Sequence, residues 1–399
     1  MFVFLAGNSR LYKKIIALAV AALASSAAFA QTNVTIYGVA DATFDSVKAT
    51  DSTAGAASDF NNRNRVTANS SYIGFKGVED LGNGLKAVFQ FENGLNTENG
   101  AAGVWNNRDS FVGLSGGFGT VVAGNLTGPT RALGAKFDVN TGATGIGANT
   151  ALLGKLGGGS GAGAFDQRIN NAIAYVSPTV AGFNAVVGYS TGLTNAYGAG
   201  TLVGHENMTA DNTKQGNHAY TLGLNYAVAG FDAGYAYTAV KAAGNGSSAN
   251  DGLADGYRKL DNHRAGVMYK AAFGQVGILF DRARLDLTSG DDLHQNVWYL
   301  SGKFNVGNGA VLAQWGHAGD VKGNNTDKEG ANHYVLGYEH NLSKRTVLKA
   351  VYSRIANKDN ANYDYLYGVG AANSTATGAG AVADGSAVSG VSFGVRHSF

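Results

Sequence analysis

Apolar and polar residues alternate with a period of two along most of the chain. In residues 220–226 the tyrosines and leucines share one face, while Thr221, Gly223 and Asn225 share the other. Such alternation predicts β-strands with one apolar face. Aromatic residues collect near the ends of the apolar faces, which is typical of strands that cross a membrane, because rings lie at lipid–water interfaces. The same pattern recurs in three further stretches: 231–238, 298–305 and 334–339.

Sixteen segments of this kind can be counted, an even number, as in bacterial single-chain barrels. Short turns and long loops alternate between them, which is typical of an up-and-down barrel. We therefore predict an all-β fold, a 16-stranded antiparallel transmembrane β-barrel, wide enough to keep a water channel. The predicted strands are approximately 34–46, 65–77, 85–94, 105–115, 119–126, 168–178, 182–191, 217–228, 231–241, 259–271, 275–286, 293–305, 310–319, 331–341, 345–355 and 386–399.

One connection, about residues 126–167, is far longer than most of the others. It is rich in Gly and shows little periodicity of either the strand or the helix kind. A loop of this length in a regular β-protein is usually functional or disordered, because its closure costs entropy and returns little burial. We predict that this third long loop folds into the lumen of the barrel and narrows it.

Composition favours strands and turns over helices. The 399 residues include 59 Gly, 19 Tyr and 19 Phe but only 2 Pro, and Gly-rich, aromatic-rich chains suit strands joined by turns. The absence of Cys excludes disulfides and thiolate metal sites. No stretch after residue 30 reaches the roughly 18 apolar residues of a transmembrane helix. Two classes remain, a secreted soluble β-protein and an outer-membrane barrel.

The first thirty residues have the pattern of a targeting segment. Arg10, Lys13 and Lys14 precede a short apolar stretch, and residues 28–30 fit the small-x-small cleavage rule. We predict a signal peptide over 1–30 and a barrel over 31–399. Removal of the first thirty residues takes away three basic and no acidic residues, which changes the formal charge from +2 to −1. The charge balance therefore does not indicate nucleic acid as a partner.

Several stretches, in order and covering both ends of the predicted barrel, are individually moderately specific: 34–41, 73–92, 107–114 with 118–121, 168–178 and 394–399. Together they resemble the general porins of Gram-negative bacteria, especially the beta-proteobacterial type. The resemblance implies an outer-membrane homotrimer that lets small hydrophilic solutes and ions diffuse passively. It also implies a third loop folded inward, and trimer contacts near strands 1–5 and 16 with the second loop latching a neighbour.

The same resemblance implies several partners. They are outer-membrane lipid and lipopolysaccharide, periplasmic chaperones, and the barrel-assembly machinery, whose recognition signal the terminal Phe399 resembles. A chain that ends on an aromatic residue also suits a last strand that closes the barrel on the first. The sequence indicates no cofactor and no metal.

The candidate site is the pore constriction, where charged rings select ions. On strand 4 we expect Phe111 to face lipid, so that Arg108, Ser110 and Val112 face the lumen. Arg168 begins strand 6 with luminal parity, so that Ile169 has the opposite parity and is expected to face lipid. Arg108 and Arg168 both match basic wall positions of the family. Four further wall residues have luminal parity: Tyr72, Lys86, Gln90 and Glu92. Tyr72 stands where many relatives carry Arg.

The third loop offers few acidic residues to oppose this basic wall. Asp138 is the only one between residues 126 and 165, and Arg131 lies nearby. We include Asp138 and Arg131 in the predicted constriction and expect a weak preference for anions.

Other functions leave weaker signals. A substrate-selective channel would need a run of Arg along the lumen with facing aromatics, and a barrel enzyme would need a catalytic constellation on adjacent strands. Residues 113–117 match the G-x-S-x-G pattern, but that motif requires a strand-to-helix turn and a tight hairpin is predicted here. We predict no catalytic residues. An adhesin barrel would have fewer strands and no long inward loop.

Overall fold

The computed structural model of the chain describes residues 33–99, 107–159, 163–191, 207–208, 214–215, 218–241, 257–287, 290–371 and 382–399. The predicted signal peptide over 1–30 lies outside the described residues. Within the described residues, no helix is long and apolar enough to cross a membrane.

Twenty-one strands and one α-helix occur in the described residues. The strands are β1 (Asn33–Thr50), β2 (Phe60–Thr67), β3 (Tyr72–Gly82), β4 (Leu85–Gly94), β5 (Ser110–Gly116), β6 (Gly119–Thr127), β7 (Gly158–Gly159), β8 (Arg168–Val176), β9 (Phe183–Ser190), β10 (Asn207–Met208), β11 (Lys214–Gln215), β12 (His218–Val228), β13 (Phe231–Lys241), β14 (Tyr257–Ala271), β15 (Gly274–Leu287), β16 (Leu293–Val306), β17 (Gly309–Ala318), β18 (Ala331–Asn341), β19 (Thr346–Asn357), β20 (Asn362–Tyr363) and β21 (Ala387–Ser398); the helix is α1 (Pro129–Phe137). Short 3-10 turns span Ala56–Ser58, Asn149–Ala151 and Ala164–Asp166.

Antiparallel pairing closes the large sheet into a sixteen-stranded barrel, which confirms the predicted fold. The predicted second strand is divided, because β2 and β3 both pair with β1 and are separated by residues 68–71. The first strand meets the last, with Val39 opposite Ser398 and Thr50 opposite Ala387. Beyond that register Gly38 exchanges two backbone hydrogen bonds of 3.1 Å with Phe399.

Tight turns join the strands at the end of the barrel where the connections are short. Asn83-Gly84, between β3 and β4, has φ values of 52° and 77°, and Ala229-Gly230, between β12 and β13, has 48° and 84°. Positive φ at both central residues is the type I′ geometry, whose twist matches that of the flanking strands. The Gly residues therefore set these two turns.

Side chains alternate between an exposed apolar face and an opposite face, here called the inner face. Val34, Ile36, Leu300, Leu336 and Phe393 are all more than half exposed on the apolar face. The period-two pattern predicted this outward band correctly in β12, β13, β16 and β18, where the exposed residues include Tyr220, Tyr226, Phe231, Trp298, Tyr334 and Tyr338.

On β5 the predicted orientation is wrong. Val112 is 61% exposed and pairs with Phe89, whereas Phe111 packs on the inner face beside an apolar cluster that includes Val122. Ser110 follows Val112 outward. The apolar Phe111 misleads the parity argument, because the inner face itself is apolar at this place.

The orientation of Ile169 on β8 is also not the predicted one. Ile169 is buried against Leu126 and Phe165 instead of facing outward. The register shifts between Gly124 and Leu126 on the neighbouring strand, and Asn171 has a φ of 49°. These irregularities interrupt strict alternation at the start of β8.

The long segment 128–167 contains the helix α1, which the aperiodic sequence did not predict. Pro129 occupies the first helical position, where its missing N–H costs nothing, and Lys136 lies in the last turn. The helix packs on three adjacent strands at their glycines. A Cβ at Gly223, Gly234 or Gly266 would lie within 3 Å of side-chain atoms of Pro129, Leu133 and Phe137, respectively.

After the helix, the segment contacts the inner face of distant strands. The N–H of Thr141 donates to Oε1 of Glu339 on β18 at 3.0 Å, and Thr144 lies 3.5 Å from Ser70 at the gap between β2 and β3. On the return the N–H of Gly154 donates to Asp281 on β15 at 3.1 Å. Strands on different sides of the barrel therefore hold the segment at several points.

A second segment, 358–371, packs against this one. Its Tyr363 and Tyr365 are buried in an apolar cluster with Leu152 and Leu153. The hydroxyl of Tyr363 donates to the carbonyl of Lys155 at 3.1 Å, and the buried Lys155 donates back to the carbonyl of Asp364 at 3.0 Å. The two segments thus form one packed unit.

We expect the double substitution Gly234→Ala and Gly266→Ala to displace α1. The added Cβ atoms would lie 2.4 Å from Cδ1 of Leu133 and 2.9 Å from Cε1 of Phe137. Overpacking of this kind costs about 1–3 kcal/mol, so the midpoint of urea unfolding in detergent should fall. Gly117→Ala is the control, because a Cβ there meets open space. Equal midpoints for the two proteins would contradict the packing argument.

Candidate functional site

Three arginines gather on the inner face near the start of segment 128–167. Arg108 precedes β5, Arg168 begins β8 and Arg131 lies on α1. Arg108 contacts Glu92 on β4, with 3.3 Å between Nε and Oε2. Its guanidinium carbon also lies 4.4 Å from the ring centroid of Tyr72. The predicted residues Arg108, Tyr72 and Glu92 are therefore neighbours, although the strand parity used for Arg108 was wrong.

Glu92 connects three other side chains. The hydroxyl of Tyr37 donates to its Oε1 at 2.8 Å, and Nε2 of Gln90 donates to the same atom at 3.2 Å. With Arg108 on its other oxygen, this carboxylate is buried. A buried carboxylate needs such partners to stay charged. Tyr37 was missed by sequence reasoning, although it directly follows Ile36, which faces outward, and therefore has inner-face parity.

Arg168 is held by an acidic residue that the sequence did not single out. Its Nε lies 2.5 Å from Oδ1 of Asp109, which also accepts a hydrogen bond of 2.8 Å from Thr127. Asp109 directly follows Arg108 in the chain. The cluster therefore pairs two of its three arginines with carboxylates.

Arg131 has a different environment. Its Nη1 donates to the backbone carbonyl of Asp166 at 2.5 Å. Among the described residues, no carboxylate forms an ion pair with Arg131. Burial and the neighbouring charge of Arg168 lower the pKa of Arg131 to about 10, so it stays protonated at neutral pH. The carboxylates of Asp166 and Asp109 lie near enough to oppose this lowering of its pKa, but neither forms an ion pair with it.

Arg264 on β14 anchors the segment to the wall. This fully buried guanidinium donates through both terminal nitrogens to Asp166, at 2.7 and 2.8 Å, and through Nε to Asp281 at 2.7 Å. Nη1 also donates to the carbonyl of Thr130 at 2.9 Å. Arg264 was missed by sequence reasoning, and its luminal parity in β14 was the available signal.

Asp138 is not placed against the three arginines. Its carboxylate accepts hydrogen bonds from the N–H and the side-chain amide of Asn140, both at 2.9 Å, and from the N–H of Asn149 at 2.8 Å. Burial raises the pKa of Asp138 to about 6. It borders a cavity of about 690 Å³ that Lys270 and Lys303 also line. The carboxylate shapes the segment that carries it.

Lys86 lies far from the cluster. It is six residues from Glu92 along β4 and pairs with Asp80, next to the turn. A rise of about 3.4 Å per residue separates the two positions by about 20 Å. Opposite charges that the prediction did not combine lie elsewhere on the inner face, where Asp41 contacts Lys349 at 2.6 Å and Arg396 at 3.0 Å.

The comparisons with known proteins agree with this architecture. The family model of the Gram-negative porins matches residues 17–360. The chain belongs to the Gram-negative porin family.

Relatives and solved structures extend the match over most of the porin. The chain is 32% identical to the outer membrane porin protein 32 of Delftia acidovorans, over 97% of this chain and 99% of that protein. It is 31% identical to the major outer membrane protein P.IB of Neisseria lactamica, over 84% and 90%. The structure of an anion-selective porin from Comamonas acidovorans superposes with a TM-score of 0.71 at 29% identity, covering 92% of this chain and all of that one.

The porin is therefore an outer-membrane channel protein, as predicted. Channels of this family are not enzymes, and the G-x-S-x-G stretch fits that statement. Ser115 lies in β5, and its hydroxyl is 2.9 Å from that of Thr120 across the β5–β6 hairpin. The strand-to-helix turn of a nucleophile elbow is not formed at this serine.

We expect Glu92→Gln to raise the anion-to-cation permeability ratio of the porin. Glutamine can still hydrogen-bond, but Arg108 loses its counter-charge. A unit charge about 8 Å from a passing ion in water is worth about 0.5 kcal/mol, so the anion-to-cation permeability ratio should rise about twofold. The measurement is the reversal potential under a salt gradient in a planar bilayer. Glu79→Gln, about 17 Å further along β3, is the control, and an equal shift in both variants would contradict the assignment.

Proposed function

We propose that segment 128–167 narrows the lumen, and that small hydrophilic solutes pass between it and the wall that carries Arg108 and Arg168. The contacts of the segment support this proposal. It is fixed to β12–β15 through α1 and Arg264 and to β18 through Thr141. A segment fixed to the inner face at both places reduces the width that remains open.

The charges of the cluster favour anions. Arg108, Arg131 and Arg168 contribute three positive charges, against two negative charges from Glu92 and Asp109. The single observation that carries the proposal is Arg131, which projects from the segment without an acidic partner among the described residues. A net positive constriction raises the local concentration of anions and slows cations.

Similarity supports the same direction. The Comamonas acidovorans porin, whose fold this chain shares over 92% of its length, is described as anion-selective. We infer the same preference for this porin. A substrate-selective channel is the second candidate, and the apolar part of the inner face described below favours it.

We further propose that the porin is a homotrimer. The outward side chains of β1 and β21, including Val34, Ile36, Phe44 and Phe393, form an exposed apolar surface that could meet a second copy. Cross-linking of the detergent-extracted porin tests this, with a three-chain product expected. Lipopolysaccharide, the chaperones, the assembly machinery, the role of Phe399 and the signal peptide stay predictions.

Arg131→Gln should reduce the anion preference. The substitution removes the charge without a carboxylate partner, so the permeability ratio should fall about twofold or more by the same Coulomb argument. The matched control is Lys86→Gln, which removes one positive charge about 20 Å from the cluster. Reversal potentials in the same salt gradient give both values. If Lys86→Gln has the larger effect, the ions are selected elsewhere in the lumen.

The preference should also depend on pH through Asp138. Its pKa of about 6 means that the carboxylate is charged at pH 7.5 and protonated at pH 5. Acidification removes one negative charge beside the path, so the anion preference should increase with a midpoint near pH 6. Other groups titrate in this range, and Asp138→Asn is the reference that isolates the effect. Identical pH profiles for the two proteins would refute the role of this carboxylate.

A further inference from the structure

Five neighbouring strands carry apolar side chains on the inner face. Strand pairing places Gly113 of β5 opposite Val122 of β6, Val122 opposite Ala174 of β8, and Val176 opposite Val186 of β9. Phe111 belongs to the same cluster. Inner positions on other strands include charged and amide-bearing residues beside apolar ones, among them Asp41, Arg264, Asp281, Gln314 and Glu339.

A cavity of about 400 Å³ lies over this apolar sector. Val88, Phe111, Val122, Ala174 and Val186 line it, and Gly128 and Pro129 at the start of segment 128–167 border it. Cavities of this size accommodate small organic molecules. Transfer of an apolar group from water to this surface is favourable, and Phe111 offers a ring for aromatic contact.

One end of the cavity is polar. Asp109 is part of its lining, and its carboxylate is already paired with Arg168 and Thr127. Arg131 lies close enough to Arg168 for the two charges to influence each other. The cavity is therefore apolar along the wall and ends at the Asp109–Arg168 ion pair, in which Asp109 lines the cavity and Arg168 adjoins it through Asp109.

We propose that this cavity binds small amphipathic carboxylates, with a single aromatic ring against the apolar sector and the carboxylate toward Arg168 and Arg131. The proposal rests on the anion-preferring channel proposed above and adds the chemical class of a preferred solute. A hydrophilic anion would meet the arginines without using the apolar sector. An aromatic ammonium ion would be repelled by the cluster.

Binding must be weak for such a solute to pass. A channel conducts a solute only when its sites hold it briefly enough for release. The expected signature is therefore a reversible interruption of the ionic current while the solute occupies the cavity.

The test records the current through the porin in potassium chloride in a planar bilayer, with benzoate, lactate or benzylammonium added. Benzoate should reduce the current at a concentration at least about tenfold lower than lactate, which has the same charge but no ring. Benzylammonium, which has the ring but the opposite charge, should resemble lactate. Equal potency of benzoate and lactate would overturn the proposal without any variant.

Two substitutions locate the site. Val122→Ser makes the cavity more polar and should raise the half-blocking concentration of benzoate about fivefold. Val112→Ser is the matched control, because Val112 is 61% exposed on the opposite face of the adjacent strand, and it should leave this concentration unchanged. Ala174→Ser replaces Val122→Ser if the latter does not fold. An unchanged benzoate effect in the folded cavity variant would overturn the proposal.

The same recordings separate the two proposals. A porin that shows no anion preference in potassium chloride alone contradicts the proposed function, whatever benzoate does. A porin that prefers anions but does not distinguish benzoate from lactate contradicts only the carboxylate site.

Discussion

Closure of the sheet between its first and last strands is the constraint on which the rest of this porin depends. A backbone N–H or C=O without a partner costs several kcal/mol in hydrocarbon, so a strand edge cannot face lipid. Pairing of β1 with β21 over 39–50, extended by Gly38 and Phe399, removes that edge. Once the ring is closed, each wall side chain has only two directions. Because the outer face meets lipid, the charged side chains of the wall are concentrated on the inner face.

The inner face is divided into sectors with different tasks. Glycines on β12–β14 leave room for a helix, and the buried Arg264 ties that helix and Asp166 to the wall. A buried guanidinium of this kind contributes little net stability but is costly to deprive of its acids, so it fixes position more than it adds strength. The part of the inner face formed by Val88, Phe111, Val122, Ala174 and Val186 is apolar and borders a cavity. The ion selectivity of the channel and the retention of an aromatic solute in the proposed site can therefore be set by different strands.

The sequence predicted the barrel well because lipid imposes the period-two pattern on every strand. It predicted the interior less well, for reasons that particular residues illustrate. Phe111 looks like a lipid-facing residue, but the inner face is apolar there, so residue type no longer reports direction. The helix α1 depends on Gly223 and Gly266, which lie about ninety or more residues away in the chain. The hydrogen-bond partners of Asp138, which are Asn140 and Asn149, are set by the path of the segment. Local sequence patterns do not encode that path.

The anchoring of segment 128–167 at separate points of the wall has a mechanical consequence. One attachment is at Arg264 on β14, and another is at Glu339 on β18, with Thr144 close to the interruption between β2 and β3. In the proposed arrangement, in which the segment crosses the lumen, it acts as a strut across the cylinder. Lateral pressure from the bilayer would flatten an empty ring of strands into an ellipse. Here the segment resists that deformation of the barrel. The segment that we propose narrows the passage would then also keep the width of the passage constant as the surrounding membrane changes.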